Sequence, residues 1–244
     1  MNTKSILIAG ALLVFGAYAA SAEGINLSWD DCGTTGTLNK TFACNTNTGL
    51  NTAIASFDPP PGIDQLTTIT AQVDINTALA LPEWWKHGGT FCRGTNGLGV
   101  SFDFSTGPFG PCIDLYAGTM SGTFDYNVGF GNPNRARLRL LGSAALENAA
   151  VVTPGTEYYA FKLNLLRSKT TGTGSCAGCT ESACIVLNEI RMVEPEGVGS
   201  DPTIYNPRDR SFVTWQSPAS GPPGCPLSTP TQSRTWGQMK SLYR

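Results

Sequence analysis

The sequence predicts an all-β protein: an antiparallel, jelly-roll-like β-sandwich that is cross-linked by disulfides. Three observations lead to this prediction. Apolar and polar residues alternate with period two along several runs. The 28 glycines and 16 prolines supply turns between these runs, and no strand–helix alternation interrupts them. Eight cysteines follow an apparent export signal. A closed barrel is the alternative architecture.

Residues 1–22 have the layout of a secretory signal peptide. Lys4 supplies the positive charge, residues 6–20 form an apolar run, and Ala20-Ser21-Ala22 is a small-x-small cleavage pattern. The apolar run is shorter than the roughly 20 residues that a membrane-spanning helix needs. We therefore expect a mature chain, Glu23–Arg244, that is secreted, periplasmic or at the cell surface and does not span a membrane.

Five alternating runs predict strands with one buried and one solvent-exposed face: 69–76, 100–105, 123–130, 135–140 and 158–165. Cys184–Val193 is apolar on both faces, which predicts a central strand or a bulged one. A further strand is predicted over 211–216. The turn signal "GNPN" at 131–134 predicts a hairpin between the third and fourth runs. The helical candidates are short, at 81–87 and 144–150.

The predicted domain organisation is simple. One β-sandwich domain covers residues 23–193. Residues 194–244 are rich in proline and glycine and are expected to pack on the sandwich, held by Cys225. The ending "SRTWGQMKSLYR" carries three cationic residues and no acid, and is either a docked tail or a recognition tag for export, sorting or assembly.

The eight cysteines of an exported chain predict four disulfides. Spacing leaves the pairing open, and we expect partners close in sequence: Cys32–Cys44, Cys92–Cys112, Cys176–Cys184 and Cys179–Cys225. Cys176-Ala-Gly-Cys179 has two other interpretations. A redox pair would open a helix, whereas a β-rich run follows here. A zinc site would need Cys225 or His87 as a further ligand, and neither has a partner nearby in sequence.

Two features indicate surface binding. Trp84 and Trp85 lie on a turn between Pro82 and Gly88, where they either seal the end of the core or form an exposed platform for a sugar or a protein. Arg135, Arg137 and Arg139 share one face of a predicted strand and could receive an anionic partner. The alternative for this row is a solvated face with acidic cross-strand neighbours, for which Asp103 or Asp125 are candidates.

Catalytic signals are few. His87 is the only histidine, and the chain contains no GxSxG, HExxH, P-loop or GxGxxG motif. Glu83, Asp103, Asp114 and Asp125 would serve a glycoside hydrolase only if the fold pairs two of them. We predict no catalytic residue, no cofactor and no resident metal, with calcium at "WDD" (29–31) or "GSDP" (199–202) left open. The charge balance, 16 basic against 18 acidic residues, argues against nucleic-acid binding.

The signal peptide, "LPEWWK", "CAGCTESACIVLN" and "TWGQMKSLYR" together resemble uncharacterised exported proteins of environmental bacteria, a group that implies no known activity. The strand pattern ending in "CIVLNEIRM" is similar, more distantly, to cohesin-like sandwiches, which are protein-binding modules. The predicted function is a non-catalytic structural or interaction module of the cell envelope or extracellular space with a protein or glycan partner. A carbohydrate-binding module that uses exposed tryptophans is the alternative, followed by a hydrolase. The oligomeric state is left open.

Overall fold

The computed structural model describes residues 23–95 and 97–216. The predicted signal peptide, Cys225 and the cationic C-terminal tail lie outside the described residues. The two helical candidates are single 3-10 turns, at Glu83–Trp85 and Leu146–Asn148.

The described chain forms eleven strands. They are β1 Gly24–Trp29, β2 Asn39–Lys40, β3 Leu50–Asp58, β4 Thr68–Thr77, β5 Leu98–Ser101, β6 Ser121–Val128, β7 Arg135–Ser143, β8 Tyr158–Leu166, β9 Ala183–Val193, β10 Thr203–Ile204 and β11 Phe212–Trp215.

Two sheets pack face to face over a shared core. The four-stranded sheet has the order β1-β3-β8-β5, and the seven-stranded sheet has the order β2-β11-β9-β4-β7-β6, with β10 paired to β9. All strand pairs are antiparallel except the parallel pair of β11 and β2. The first six strands alternate between the two sheets. The predicted all-β, jelly-roll-like antiparallel sandwich is confirmed.

Most predicted strands are present, with shifted ends. The central strand is β9, and the predicted bulge lies where its register with β4 shifts between Gln72 and Val73. The hairpin around "GNPN" joins β6 and β7. The run predicted over 100–105 is a strand only at Leu98–Ser101, because the chain then leaves the sheet edge. Sequence reasoning missed β1 and β3, and also the two-residue strands β2 and β10.

A buried aromatic cluster fills one end of the sandwich. Trp215 of β11 stacks on Phe42 with ring centroids 4.1 Å apart, and its centroid lies 4.7 Å from that of Trp84. Trp29 of β1 meets the edge of Phe42 at 4.8 Å, and Trp85 meets Trp84 at 4.9 Å. The cluster therefore joins both sheets and the 3-10 turn that precedes β5.

The disulfides join segments that are distant in sequence. Cys32 bonds to Cys112, Cys44 to Cys179, and Cys92 to Cys176. Cys184 is disulfide-bonded as well. The predicted sequence-local pairs of these described cysteines are wrong, because the fold brings segments 80 to 135 residues apart into contact and separates close neighbours. The sulfurs of Cys176 and Cys179 are held in two different disulfides, which excludes the redox-pair and zinc interpretations of this motif.

The segment after Val193 is part of the seven-stranded sheet as far as the structure describes it. It supplies β10 and β11, and its residues 206–210 run along β1. The Ile25 amide donates to the Asn206 carbonyl at 2.9 Å, and the Arg208 amide donates to the Ile25 carbonyl at 3.0 Å. These contacts cover β1, all six of whose residues are buried.

Candidate functional site

The three arginines of β7 lie together on the outer face of the seven-stranded sheet. Between them Ala136 and Leu138 point into the core and are fully buried. The side-chain alternation of a strand thus brings the arginine row to one face. We call the outer surface of β9, β4, β7 and β6 around this row the arginine face.

Arg137 is locked into an ion pair with Asp74 of β4. Its Nε and one Nη atom each donate to a different Asp74 carboxylate oxygen at 2.7 Å, and the other Nη donates to Gln72 at 3.1 Å. Asp74 is only 4% exposed, and Arg135 approaches its carboxylate at 3.7 Å. The hydrogen bonds to Asp74 raise the pKa of Arg137. Arg137 is therefore a fixed structural cation.

Phe130, in the β6–β7 turn, covers the row. Its ring centroid lies 4.3 Å from the guanidinium carbon of Arg137, 5.4 Å from that of Arg139 and 5.6 Å from that of Arg135. Arg135 Nε also donates to the Phe130 carbonyl at 2.7 Å. Cation–π contacts of this kind orient guanidinium groups. A single aromatic ring thus contacts all three guanidinium groups.

Arg139 differs from its two neighbours because it forms no hydrogen bond or ion pair with any described residue. It lines an open groove of about 470 Å³ on the arginine face, together with Gln72, Glu189, Asp125 and Leu141. Gln72 donates a hydrogen bond to Glu189 across this groove. Leu141 is 43% exposed and gives the groove an apolar side. The groove therefore presents one cation, Arg139, that is not engaged in an ion pair with any described residue, beside acidic, amide and apolar groups.

The acidic neighbours of the row are only partly those expected. Asp125 lies directly opposite Arg139 on β6. Asp74, which sequence reasoning did not single out, provides the main partner. Asp103 lies beyond the end of β5, at the outer surface of the other sheet. Its expected pairing with the row is wrong, because the two residues belong to different layers of the sandwich.

Trp84 and Trp85 are fully buried. Trp84 donates through Nε1 to Thr170 at 3.1 Å, and the Arg93 guanidinium stacks 3.9 Å above its ring. The turn that carries them packs inward against β11, so neither ring is available to stack on a sugar. The exposed-tryptophan platform is corrected: these residues seal the end of the core.

A second cleft, of about 510 Å³, lies on the outer face of the four-stranded sheet. We call it the loop cleft, because the segment 102–110 forms one of its walls. Its floor is the pair Thr52 of β3 and Asn164 of β8, whose side chains are hydrogen-bonded at 3.0 Å. Asp30, Asp103 and Lys162 supply its charged groups.

His87 lines a smaller pocket of about 270 Å³ between β5 and β6. The side chain is only 4% exposed, and neither ring nitrogen has a hydrogen-bond partner. Burial, with a smaller contribution from the nearby Arg93 cation, lowers the pKa of His87 to about 3. The imidazole is therefore neutral at physiological pH, and its edge-to-face contact with Tyr126 is a packing contact.

The remaining acids give no sign of a metal centre. No group of three or more His, Cys, Asp and Glu side chains in the described part of the chain is arranged to hold a metal ion. In the loops considered for calcium, Asp30 pairs with Lys40, Asp31 accepts the Cys32 amide at 2.7 Å, and Asp201 pairs with Arg191 at 2.9 Å. Within 23–95 and 97–216, no helix has both the length and the apolar character needed to cross a bilayer.

No protein-family model and no curated protein sequence matches this chain. Solved structures do match. They include cohesin modules. One belongs to a family 33 glycoside hydrolase of Clostridium perfringens, with 10% identity, a TM-score of 0.33, and coverage of 80% of this chain and 93% of that one. Another is the second type II cohesin module of the ScaA scaffoldin of Acetivibrio cellulolyticus, with 8% identity, a TM-score of 0.36, and coverage of 84% and 98%. A cohesin in complex with a dockerin, from Clostridium thermocellum, has 6% identity and a TM-score of 0.32.

These similarities are too low to carry a functional argument, and the sandwich described above stands on its own strand pairing. The resemblance to uncharacterised exported bacterial proteins stays a prediction. Sequence reasoning placed the arginine row on one face, and missed Asp74, Phe130 and Lys162. The alternation of β4 could have indicated Asp74, since that residue is the acid of an outward-facing set.

Proposed function

We propose that this protein is a non-catalytic interaction module of the cell envelope or extracellular space, and that it binds a protein partner through the arginine face. The observation that carries the proposal is Arg139, an exposed cation that has no ion pair with residues 23–95 or 97–216, beside a groove and next to two arginines that are already fixed. Such a surface loses little side-chain freedom on binding, which favours association.

The size of this face supports a protein partner. Four strands spaced about 4.8 Å apart, each roughly 30 Å long, give an area on the order of 600 Å². A typical stable interface buries about 800 Å² on each partner, so this face alone supplies most of the area that such an interface needs. Arginines are enriched at such interfaces, and the exposed Leu141 adds an apolar contact at the groove. The partner is expected to present an acidic side chain to Arg139 and polar groups to Gln72 and Glu189.

The disulfides support the proposed location. Bonds of this kind persist in oxidising compartments and are rare in the cytosol. Three disulfides join segments 80 to 135 residues apart in sequence, as suits a module that acts outside the cell through a rigid surface.

The test is affinity capture from the secreted and envelope fractions of the producing organism, with wild-type protein, Arg139→Glu and Lys86→Glu as baits. Both variants change the net charge equally, and Lys86 follows the 3-10 turn Glu83–Trp85 and does not line the groove. A specific partner should be retained by wild type and Lys86→Glu and lost with Arg139→Glu. Its purified complex should weaken about tenfold or more on that reversal. Equal capture by all three baits would contradict the proposal.

A further inference from the structure

The loop cleft is built from polar groups that can exchange hydrogen bonds with an uncharged ligand. The Thr52 hydroxyl donates to the Asn164 carbonyl oxygen, and the Asn164 amide nitrogen donates to no described residue. Asp103 accepts from the Ser105 amide at 2.8 Å and from the Ser105 hydroxyl at 2.6 Å. Each carboxylate keeps further acceptor positions open. The floor and one wall therefore offer donors and acceptors side by side.

Charge in the loop cleft is close to balanced. Hydrogen bonds from Ser105 lower the pKa of Asp103, which is ionised at neutral pH. Asp30 is paired with Lys40 at the rim. Lys162 donates to the Gly107 carbonyl and lies 4.8 Å above the Phe104 ring centroid. A cleft with paired and opposed charges gives no net attraction for a strongly charged ligand.

An exposed aromatic side chain lies next to two residues of the cleft wall, Gly107 and Pro108. Phe109 is 85% exposed. Its ring lies against Gly107, which lines the cleft: a Cβ on that glycine would meet the ring 3.2 Å away. An exposed phenyl ring fixed beside a polar cleft can stack on a ligand that enters the cleft.

The segment that carries Phe109 is fastened on both sides. The Tyr159 hydroxyl donates to the Pro108 carbonyl at 3.0 Å and accepts from the Gly110 amide at 3.0 Å. Cys112 is bonded to Cys32, and beneath the segment Phe104 stacks on Tyr159 with ring centroids 4.4 Å apart. The exposed ring is thus presented by a fixed support, which lowers the entropic cost of binding.

We propose that the loop cleft binds a neutral glycan. The Asp, Asn, Thr and Lys side chains exchange hydrogen bonds with sugar hydroxyls, and the Phe109 ring stacks on the C–H face of a sugar ring. At about 510 Å³ the cleft lies in the size range of small-ligand sites, roughly 300–1,000 Å³. A peptide added as a further strand would need a free strand edge, whereas this cleft lies over the face of β3 and β8. The site is on the sheet opposite the arginine face.

The test is binding of the full chain to an array of neutral oligosaccharides and polysaccharides, followed by calorimetry with the best soluble oligosaccharide. Wild type should bind saturably. Phe109→Ala should weaken binding about tenfold or more, as loss of an aromatic contact predicts. Asp103→Asn, which changes an exposed group, should weaken it several-fold.

Two controls separate the possible outcomes. Phe91→Ala removes another exposed phenyl ring, outside the cleft, and should leave glycan binding unchanged. Arg139→Glu should also leave it unchanged, which keeps this site distinct from the proposed protein interface. The proposal is overturned if wild type binds no neutral glycan, or if Phe91→Ala weakens glycan binding as much as Phe109→Ala does. It is also overturned if the ligand whose binding depends on Phe109 is found in a peptide library instead.

Discussion

At the scale of single residues, three identical side chains on one strand have different environments. Arg137 is held by a nearly buried carboxylate, Arg135 by a backbone carbonyl, and Arg139 by Phe130 alone among the described residues. The alternation of β7 determines that they share a face. Their separate partners come from β4 and the β6–β7 turn, which the sequence of β7 does not specify.

We expect Arg137→Ala to lower the free energy of unfolding by about 2–4 kcal/mol, because it leaves the Asp74 carboxylate buried with Arg135 at 3.7 Å as its remaining cation. Arg139→Ala, an exposed change on the same face, should alter the free energy of unfolding by less than about 0.5 kcal/mol. Urea unfolding of both variants measures the difference. A similar small effect for both would show that the Asp74 pair is not the structural anchor described here.

His87 should make stability depend on pH. Its pKa in the folded protein is about 3, whereas an imidazole in the unfolded chain titrates near 6.5. The unfolded state therefore binds more protons between these values. The stabilisation is fully present above about pH 6.5 and is lost as the pH falls towards 3, with a loss of roughly 2–3 kcal/mol at about pH 4.5.

The check is His87→Phe, which keeps a ring beside Tyr126 and cannot titrate. The free energy of unfolding of each protein is measured by urea unfolding between pH 7.5 and 4.5. Over this range it should fall by roughly 2–3 kcal/mol more for wild type than for the variant. Carboxylates contribute equally to both curves. Parallel curves would mean that the imidazole is protonated in the native state well above pH 3.

At the scale of elements, sequence patterning identified the strands with large alternating side chains and missed two long strands, β1 and β3, besides the two-residue strands β2 and β10. β3, "LNTAIASFD", alternates mostly among alanine, serine, threonine and asparagine, whose burial is decided by neighbours rather than by size. β1 is buried on both faces because residues 206–210 cover its outer side chains. Neither cause can be recognised within the strand itself.

The loop 102–112 is predicted to depend on its disulfide more than the rest of the fold does. The pair of changes Cys32→Ala and Cys112→Ala should cost about 3–5 kcal/mol of stability. It should also speed amide hydrogen exchange in this loop, as the tether to β1 is lost. The matched pair Cys92→Ala and Cys176→Ala opens a link of similar span, 84 residues instead of 80, away from this loop. If both pairs of changes sped amide hydrogen exchange in the loop 102–112 equally, the Cys32–Cys112 disulfide would not be the specific restraint on this loop.

At the scale of the whole molecule, the two sheets share one hydrophobic core that runs from β1 to β11. The sequence predicted the architecture and the presence of disulfides. It did not predict the pairing of the cysteines, and it left open whether Trp84 and Trp85 seal the core or form an exposed platform. Composition and periodicity report what a side chain prefers, whereas pairing and burial depend on which distant segment arrives beside it.

A chain ending at Val193 is expected not to fold cooperatively. It lacks Trp215, which is fully buried against Phe42 and Trp84, and the hydrogen bonds of Arg210 to Ser28 and Gly33. Loss of a buried tryptophan alone costs about 3–5 kcal/mol, a large share of the stability of a typical domain. Urea unfolding followed by circular dichroism should give one sigmoidal transition for the full chain and none for the truncated one. A sigmoidal transition in the truncated chain would place a domain boundary at residue 193.

The pairing of early with late segments also sets the order of assembly. Asn39 and Lys40 of β2 lie beside Thr214 and Trp215, and Cys44 must meet Cys179. A chain that emerges from its N-terminus onwards cannot complete the seven-stranded sheet until about residue 215 is available, and contacts of such long sequence separation form slowly. If the chain is exported as predicted, it would cross the membrane unfolded, and Cys44 could join Cys179 only after most of the chain has arrived, whereas Cys32 and Cys112 could pair earlier.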